Sequence, residues 1–361
     1  CTNWLHSFIN ERIKFIMAYT PINNSSLNFN TKLYTGNGGT NAITGVGFEP
    51  SFTWIKQRNA VSNHRIFDAV RGVTKYLEAN GAPPNQTDAN SLTAFGTDGF
   101  TLGSSASVNA SGNTFASWNF KANGQGSSNT DGSINTTYTS VNTTAGFSIS
   151  QYTGTGANAT FGHGLGVTPK IIIWKNITTN NVNWIVQSPL FGNQNKLVLN
   201  TTEATSSNSS FSETNNWTNA LIDLKTYEGQ NTSGNNYIAY CFAEVQGYSK
   251  VGSYFGSGND DGPFLYTGFK PAFILFKKTD STSEWFLYDN KRLGFNVLNS
   301  VFEANTTSAE AADSATYIDM VSNGFKIRGN SGNTNTNGSN YIFMAFGQSL
   351  VGTNNVPNNA R

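Results

Sequence analysis

The segment Gly47–Asn59 reads GFEPSFTWIKQRN and places a proline in a glycine-flanked turn directly before a run of aromatic and β-branched residues. Such a run after a turn predicts a buried strand. The chain writes nearly the same phrase twice more, as GVTPKIIIWKN from Gly166 and as GFKPAFILFKK from Gly268. In each copy a lysine follows the proline by six residues, in the pairs Pro50 and Lys56, Pro169 and Lys175, and Pro271 and Lys277. The chain therefore contains a tandem repeat.

Further positions recur around each proline. A Tyr-x-Gly unit lies 16 or 17 residues before it, at Tyr34, Tyr152 and Tyr254. Each copy closes on a glycine that is followed by an aromatic residue after three positions and by a phenylalanine after eight, in the sets Gly112, Phe115, Phe120; Gly234, Tyr237, Phe242; and Gly338, Tyr341, Phe346. The closing runs FASWNF, YIAYCF and YIFMAF carry apolar residues on both faces, which predicts a central strand covered on both sides.

Within a copy, short apolar runs alternate with clusters of Asn, Gly and Ser. The strands predicted in the first copy are Phe52–Lys56, Ile66–Val70, Phe100–Leu102 and Thr114–Phe120. Several short strands in about a hundred residues, with turn signals every ten or so, predict an all-β protein of three tandem antiparallel β-sandwich modules. One short helix is predicted within Thr307–Met320, capped by Ser308.

The repeat fixes the expected domain boundaries. Residues 1–29 form an extension and N-terminal arm, residues 30–122 the first module, residues 145–247 the second, residues 248–350 the third, and residues 351–361 a C-terminal tail. Residues 123–144 are rich in Gly, Ser, Asn and Thr and are expected to link the first two modules flexibly. The second and third modules follow one another almost without a gap and are expected to pack rigidly together.

The composition limits the class of protein. Charged residues make up 12% of the 361 residues and the formal net charge is +1. Without a basic run the chain is not expected to bind nucleic acid, and without a long apolar segment it is not expected to enter a membrane. Two cysteines, Cys1 and Cys241, make no disulfide framework. Abundant Asn, Thr, Ser and Gly between aromatic runs are typical of an all-β extracellular or virion protein.

The first sixteen residues lack the pattern of a secretory signal. Three alternatives remain: an open-frame extension before a true start at Met17, a processed lipoprotein that carries its lipid on Cys1, and an amphipathic helix with Trp4, Phe8 and Phe15 on one side. We expect the start at Met17, because codons for Glu11 and Arg12 can spell a ribosome-binding sequence upstream of it.

Several of these phrases are similar to a known repeat family. Those that carry the resemblance are GFEPSFTWIKQRN with NHRIFDAVRG, FSISQYTGTGANATFGHGLGVTPKIIIWKN, YIAYCFAEVQGYSKVGSY, DGPFLYTGFKPAFILFKKTD and SNGFKIR with YIFMAF. The chain resembles, from Met17 to Arg361, a repeat family of structural and tail-fibre-like proteins of tailed phages, especially marine ones, with concanavalin A-like lectin modules. The resemblance implies jelly-roll or concanavalin A-like sandwiches and a virion protein made in the host cytoplasm. It brings no catalytic residue to this chain.

Neither a catalytic residue nor a cofactor is predicted from the motifs. The histidines His6, His64 and His163 lack the spacing of a triad or a metal site and are expected to make local hydrogen bonds in turns. Glycoside cleavage would need two carboxylates across one cleft, for which Asp68 with Glu78 and Glu284 with Asp289 are the available pairs. Each of these aspartates precedes an arginine by three residues, which more simply predicts an ion pair that fixes a loop.

Two weak binding sites are predicted in the loops where the copies differ. Phe211 and Trp217 lie in the polar run SSNSSFSETNNWTN and, with His64, are candidate glycan-binding residues, since sugars stack on exposed rings. For Trp217 the alternative is packing within its own module, as is expected for Trp184 and Trp285. Asp260 and Asp261 offer hard oxygen ligands for calcium, and the alternative there is a solvated turn.

Three functional hypotheses follow. The leading one is a non-enzymatic phage virion structural protein, an appendage or tail-fibre-like protein or a capsid decoration, assembled with itself and with other virion proteins. The alternative is a lectin-like adhesin that binds a host surface carbohydrate through loops of the second or third module. The least favoured is a polysaccharide-degrading enzyme.

Overall fold

The computed structural model describes residues 20–349. The predictions for Cys1, His6, Met17 and the tail 351–361 fall outside these residues. Within them no helix has the length and apolar character needed to cross a membrane.

The described residues form three modules of nine strands each. Module 1 contains β1 Phe29–Thr35, β2 Asn41–Thr44, β3 Phe52–Gln57, β4 Arg65–Asp68, β5 Lys75–Glu78, β6 Gln86–Thr87, β7 Leu92–Gly96, β8 Gly99–Leu102 and β9 Thr114–Phe120. Module 2 contains β10 Tyr138–Asn142, β11 Phe147–Thr153, β12 Ala159–Gly162, β13 Ile171–Asn176, β14 Ile185–Gln187, β15 Asn195–Val198, β16 Ser206–Ser207, β17 Leu221–Leu224 and β18 Asn236–Phe242. Module 3 contains β19 Ser249–Phe255, β20 Phe264–Tyr266, β21 Phe269–Lys278, β22 Trp285–Asp289, β23 Ser300–Glu303, β24 Ala311–Ala312, β25 Ile318–Val321, β26 Gly324–Ile327 and β27 Asn340–Ser349.

Within residues 20–349 helical structure is confined to single turns. Two are α-helical, Ala106–Asn109 and Glu228–Asn231, and three are of the tighter 3-10 type, Ser25–Leu27, Pro189–Phe191 and Thr214–Asn216.

Each module pairs a large antiparallel sheet with a small one. Module 1 has the strand order β1-β9-β3-β4-β5-β6 in its large sheet and β2-β8-β7 in its small sheet, and module 3 repeats both orders as β19-β27-β21-β22-β23-β24 and β20-β26-β25. Module 2 has β10-β11-β18-β13-β14-β15-β16 and β12-β17, so it gains an edge strand and lacks one in the small sheet. The all-β prediction and the sandwich-like pairing of sheets are confirmed.

The closing strands β9, β18 and β27 lie inside their large sheets, as their two apolar faces predict. Side chains alternate along a strand, so one set of residues in β18, Ile238, Tyr240 and Phe242, faces a core shared by all three modules. The intervening residues Tyr237 and Cys241 face the small sheet of module 2. Strands β9 and β27 alternate in the same way.

The shared core lies where the three large sheets meet. Its centre is a triangle of the repeat-equivalent rings Phe120, Phe242 and Phe346, whose centroids are 5.9, 5.0 and 5.7 Å apart. Pairs of aromatic rings at such distances add to the stabilisation from burial. The three modules therefore close around a pseudo-threefold axis rather than following one another as beads on a string.

The segment 123–144, expected as a flexible linker, carries β10 and lies along the edge of the module 2 sheet. Module 1 also contributes Phe52 and Trp54 to the shared core. These rings lie on the inner face of the large sheet and are buried against the other two modules. Module 1 therefore packs against them, and the expectation of a flexible link was wrong.

The helix predicted within Thr307–Met320 was also wrong. Strands β24 and β25 occupy this segment. Ile318 and Met320 alternate into the module 3 core, and the Asp313 side chain accepts hydrogen bonds from the backbone N–H groups of Ala315 and Thr316, which makes a turn.

Candidate functional site

Trp217 and Phe211, the predicted glycan-binding rings, lie inside module 2. The Trp217 side chain is 5% exposed, packs 5.9 Å from the ring of Trp174 and donates through Nε1 to the hydroxyl of Ser212 at 2.9 Å. Phe211 is buried edge-on against Tyr227 at 4.5 Å. Neither ring offers a face to a ligand, so for Trp217 the packing alternative describes the structure.

His64 is fully buried between modules 1 and 3. Its Nδ1 accepts a hydrogen bond from Trp54 Nε1 at 2.9 Å, and its ring meets the edge of Phe302 from module 3. Burial and, to a smaller extent, the nearby charge of Lys56 hold the pKa of His64 well below its usual value. The residue is therefore a neutral contact between modules and is not accessible to a sugar.

Asp260 and Asp261 lie in an exposed turn of module 3. The Asp261 carboxylate pairs with Lys326 at 2.9 Å and with Arg328 at 3.5 Å, and its pKa is lowered mainly by the hydrogen bond from Lys326. Two cations beside this carboxylate oppose calcium binding. In the described part of the chain no group of three or more His, Cys, Asp or Glu residues is placed to hold a metal ion.

The carboxylates considered for glycoside cleavage serve other contacts. Asp68 pairs with Arg71 and Asp289 pairs with Arg292, both at 2.6 Å and both fully buried, which confirms the predicted ion pairs. Glu78 pairs with Arg65 at 2.6 Å. A buried aspartate held by an arginine is not available as a nucleophile or a proton donor.

His163 makes the local contacts that its turn predicts. Its Nδ1 accepts from the backbone N–H of Leu165 at 3.2 Å, and its Nε2 lies 3.2 Å from the carbonyl oxygen of Thr218. Burial lowers the pKa of His163 to about 4.

The lysines of the repeated phrase hold the modules together. Lys56, Lys175 and Lys277 are all buried, and each donates from Nζ to a backbone carbonyl of another module. The three acceptors are Thr307 at 3.3 Å, Ala82 at 3.1 Å and Thr202 at 3.3 Å, in that order. We call the contacts between modules 1 and 2, 2 and 3, and 3 and 1 the first, second and third seams. One such lysine lies in every seam. The repeated sequence therefore helps to close the three modules into one body, which we call the ring.

A backbone hydrogen bond also crosses every seam at equivalent positions. Its donors and acceptors are Asn85 N to Ile177 O at 3.3 Å, Thr205 N to Thr279 O at 2.8 Å, and Glu310 N to Arg58 O at 2.7 Å. Indole N–H groups cross two seams, from Trp184 to Glu78 O and from Trp285 to Val198 O, both at 2.8 Å. In the third seam the equivalent residue is His64, which precedes Asp68 by four residues, as Trp285 precedes Asp289.

One surface of module 3 has no counterpart in the other modules. Phe264 and Tyr266 on β20 are 46% and 60% exposed, while Leu265 between them is buried. Both rings therefore lie on the outer face of the small sheet, which we call the module 3 outer face. The equivalent outward positions hold Ala42 and Thr44 in module 1 and Thr160 and Gly162 in module 2.

Charged groups lie beside these rings on the module 3 outer face. Lys326 is directly opposite Phe264 in the sheet, and Arg328 pairs with Asp319 at 3.1 Å. Gly324 leaves room for the Phe264 ring, because a Cβ there would meet ring atoms at 3.0 Å. Exposed rings next to fixed hydrogen-bonding groups are suited to binding a sugar or another protein.

Comparison with known proteins gives a family. The family model of a domain of unknown function, DUF7483, matches residues 24–349. The chain belongs to this family. The DUF7483 match spans all three modules, so the family corresponds to the closed ring and not to one sandwich. No curated protein and no solved structure matches the chain.

The sequence pattern missed both the seam lysines and the module 3 outer face. The recurrence of a lysine six residues after each proline was visible, but nothing local shows that a lysine at the end of a strand is buried. The run FLY at Phe264–Tyr266 is apolar throughout, and such a run does not tell which side chains face outward.

Proposed function

We propose that this DUF7483 protein is a non-enzymatic structural protein of a phage virion, an appendage or tail-fibre-like protein or a capsid decoration. The observation that carries the proposal is the closure of three modules into one body through equivalent hydrogen bonds at every seam. A head-to-tail contact that closes on itself makes a finished body with no free copy of that contact. Such a body suits a building block that must keep its shape outside a cell.

The sequence resemblance to tail-fibre-like phage proteins supports the same proposal. On this view the sandwiches are of the jelly-roll or concanavalin A-like type, and the protein is made in the host cytoplasm and resides in the virion. Its partners are further copies of itself and other virion proteins. Low charge fits interfaces in which shape, rather than charge, selects the partner.

Electron microscopy of purified particles labelled with antibody against residues 20–349 tests this proposal. Label at a fixed position on intact particles is the expected result. Particles that contain the neighbouring virion proteins but carry no label, in a preparation whose antibody recognises the denatured and the native chain, would overturn it.

A second function is favoured by the module 3 outer face. We propose as the alternative a lectin-like adhesin in which Phe264 and Tyr266 stack on a host surface carbohydrate. The site differs from the one predicted from the sequence, because Phe211 and Trp217 are buried. Large exposed rings at two successive outward positions of one strand are unusual unless something covers them.

The double substitution Phe264→Ala with Tyr266→Thr tests the adhesin, because it gives β20 the outward residues of β2 in module 1. Saturable binding of the purified protein to host cells, lost in this variant and competed by a free oligosaccharide, is expected. The matched control is Val61→Ala, which removes an exposed apolar side chain from module 1. Undiminished binding by the double variant would exclude this face.

A further inference from the structure

A polar groove lies at one end of the third seam. It consists of two adjoining hollows of about 150 and 280 Å³, which share Asn30, Thr31 and Lys291. Strand β1 of module 1 forms one wall, and the start of β21 and the turn after β22 of module 3 form the other. We call it the seam groove.

Thr31 is the unusual residue of this groove. It pairs with Trp118 on β9, and the equivalent positions are Ile149 in module 2 and Val251 in module 3, both in the shared apolar core. Thr31 is only 5% exposed, yet its hydroxyl has no hydrogen-bond partner within residues 20–349. Buried polar atoms are nearly always satisfied, so a hydroxyl without a protein partner, where an apolar side chain would fit, needs a water or a ligand as its partner.

A second open group lies in the same groove. The side-chain oxygen of Asn290 is buried and has no partner among the described residues. An amide oxygen only accepts hydrogen bonds, so a ligand with a donor such as a hydroxyl group suits it. Asn290 directly follows Asp289. The residues at the equivalent position are Ala69 in module 1 and Pro189 in module 2, and their side chains have no such oxygen.

The seam groove also has a positive charge. Lys32, Lys270 and Lys291 line it. The carboxylate of Asp98 accepts from the backbone N–H of Gly45 and lies near Lys32, so Lys291 carries the charge argument. The ion pairs of residues 20–349 include neither Lys32 nor Lys291. At the position of Lys291 the other modules have Val70 and Leu190, so this charge belongs to the third seam alone.

We propose that the seam groove binds an acidic sugar, that is, a monosaccharide unit with a carboxylate. The ammonium groups of Lys291, Lys32 and Lys270 face the carboxylate, while sugar hydroxyls donate to Asn290 and exchange a hydrogen bond with Thr31. Sulfate has the charge but lacks the donor for Asn290. The hollows are small, which suits one sugar unit rather than a long chain. This proposal depends neither on the virion assignment nor on the module 3 outer face.

The test uses the full chain titrated with glucuronate and galacturonate by calorimetry or by NMR chemical-shift change. Glucose and galactose serve as neutral counterparts, and sulfate serves as the plain anion. At least one uronate is expected to bind saturably and at least tenfold more tightly than its neutral counterpart and than sulfate. Lys291→Gln is expected to weaken this binding at least tenfold, and Thr31→Val to weaken it severalfold.

Thr31→Val is suited to the test because the equivalent Val251 packs without strain, so the variant keeps its fold. The matched charge control is Lys75→Gln on the exposed surface of β5, which is expected to bind as the wild type does. The proposal is overturned if neither uronate binds, if sulfate or the neutral sugar binds as tightly, or if Lys75→Gln weakens binding as much as Lys291→Gln does.

Discussion

The hydroxyl of Tyr240 in module 2 donates a hydrogen bond of 2.7 Å to the carboxylate of Asp68 in module 1. The same carboxylate oxygen accepts from the guanidinium of Arg71 at 2.6 Å. The third seam repeats the arrangement, with Trp118 Nε1 donating to Asp289 at 3.1 Å beside Arg292. A buried ion pair loses much solvation, and a further donor from the neighbouring module replaces part of it.

The second seam has neither part of this arrangement. The residue equivalent to Tyr240 is Met344, which has no strong donor, and the position of the aspartate falls on Ser188. The ion pair and the donor are thus present together in two seams and absent together in the other.

Tyr240→Phe is expected to lower the free energy of unfolding by about 2 kcal/mol, because the Asp68 carboxylate loses a buried donor while the ring packing is kept. Urea denaturation at pH 7 measures the change. Met344→Leu at the equivalent position of module 3 is the control and is expected to change stability by less than about 1.5 kcal/mol. Unchanged stability of Tyr240→Phe would show that the hydroxyl does not stabilise the Asp68 carboxylate.

Module 1 is not expected to fold by itself. A fragment of residues 20–122 exposes Phe52, Trp54 and Phe120, which the other two modules cover in the whole chain. The fragment is therefore expected to lack a cooperative urea transition, whereas residues 20–349 unfold in a single one. A folded, monomeric fragment with native tryptophan fluorescence would contradict the ring as the unit of folding.

The repeat, the central strands and the buried ion pairs could be predicted from the sequence, because each depends on residues close together in the chain. Asp68 and Arg71 are three residues apart, and the two apolar faces of Thr114–Phe120 lie within seven residues. The closure of the ring could not be predicted in this way. It depends on carbonyl groups such as that of Ala82, which lies 93 residues from its partner Lys175.

Which rings are exposed could not be predicted for a related reason. Trp217 lies among polar residues, and local polarity suggested exposure, but the chain folds back and places the ring on Trp174. Phe264 and Tyr266 lie in an apolar run, yet only Leu265 between them is buried. Burial in a sandwich is decided by strand register and by the opposite sheet, which the local composition does not contain.

Acid is expected to destabilise the protein in part through His163. Its pKa is about 4 in the folded chain and near 6.5 when unfolded, so between these values the unfolded chain binds more protons. The free energy of unfolding therefore falls as the pH falls from 6.5 to 4, by about 1.4 kcal/mol per pH unit for this residue. Burial shifts the pKa of His64 in the same direction.

His163→Gln is expected to make the free energy of unfolding depend less steeply on pH, by the amount that His163 contributes. Glutamine supplies an acceptor for Leu165 and a donor for Thr218 but does not titrate. Urea denaturation at pH 7, 6, 5 and 4.5 measures both slopes. Slopes that agree between wild type and variant would mean that His163 has the same pKa in the folded and the unfolded chain.

The seam lysines are expected to make the protein more stable in mild alkali. Burial lowers the pKa of Lys175 to about 7, against 10.5 for an ordinary lysine. Between these values the unfolded chain binds the extra proton, so the free energy of unfolding rises with pH, by about 1.4 kcal/mol per unit for each such lysine. The pKa values of Lys56 and Lys277 are lowered to about 8 and add to the same trend.

Lys175→Met tests the contribution of one seam lysine, that of the first seam. Methionine fills the space but leaves the carbonyls of Val182, Asn176 and Ala82 without the Nζ donor. The stability difference between wild type and variant is expected to grow by about 1.4 kcal/mol per unit from pH 7.5 to 9.5, and the ionisation of tyrosines that begins in this range affects both chains alike. The exposed Lys75→Met is the control and keeps the wild-type slope. A constant difference across this range would mean that Lys175 stays charged in the seam, held by its three carbonyls, and that the ring is joined by buried ammonium ions rather than by neutral amines.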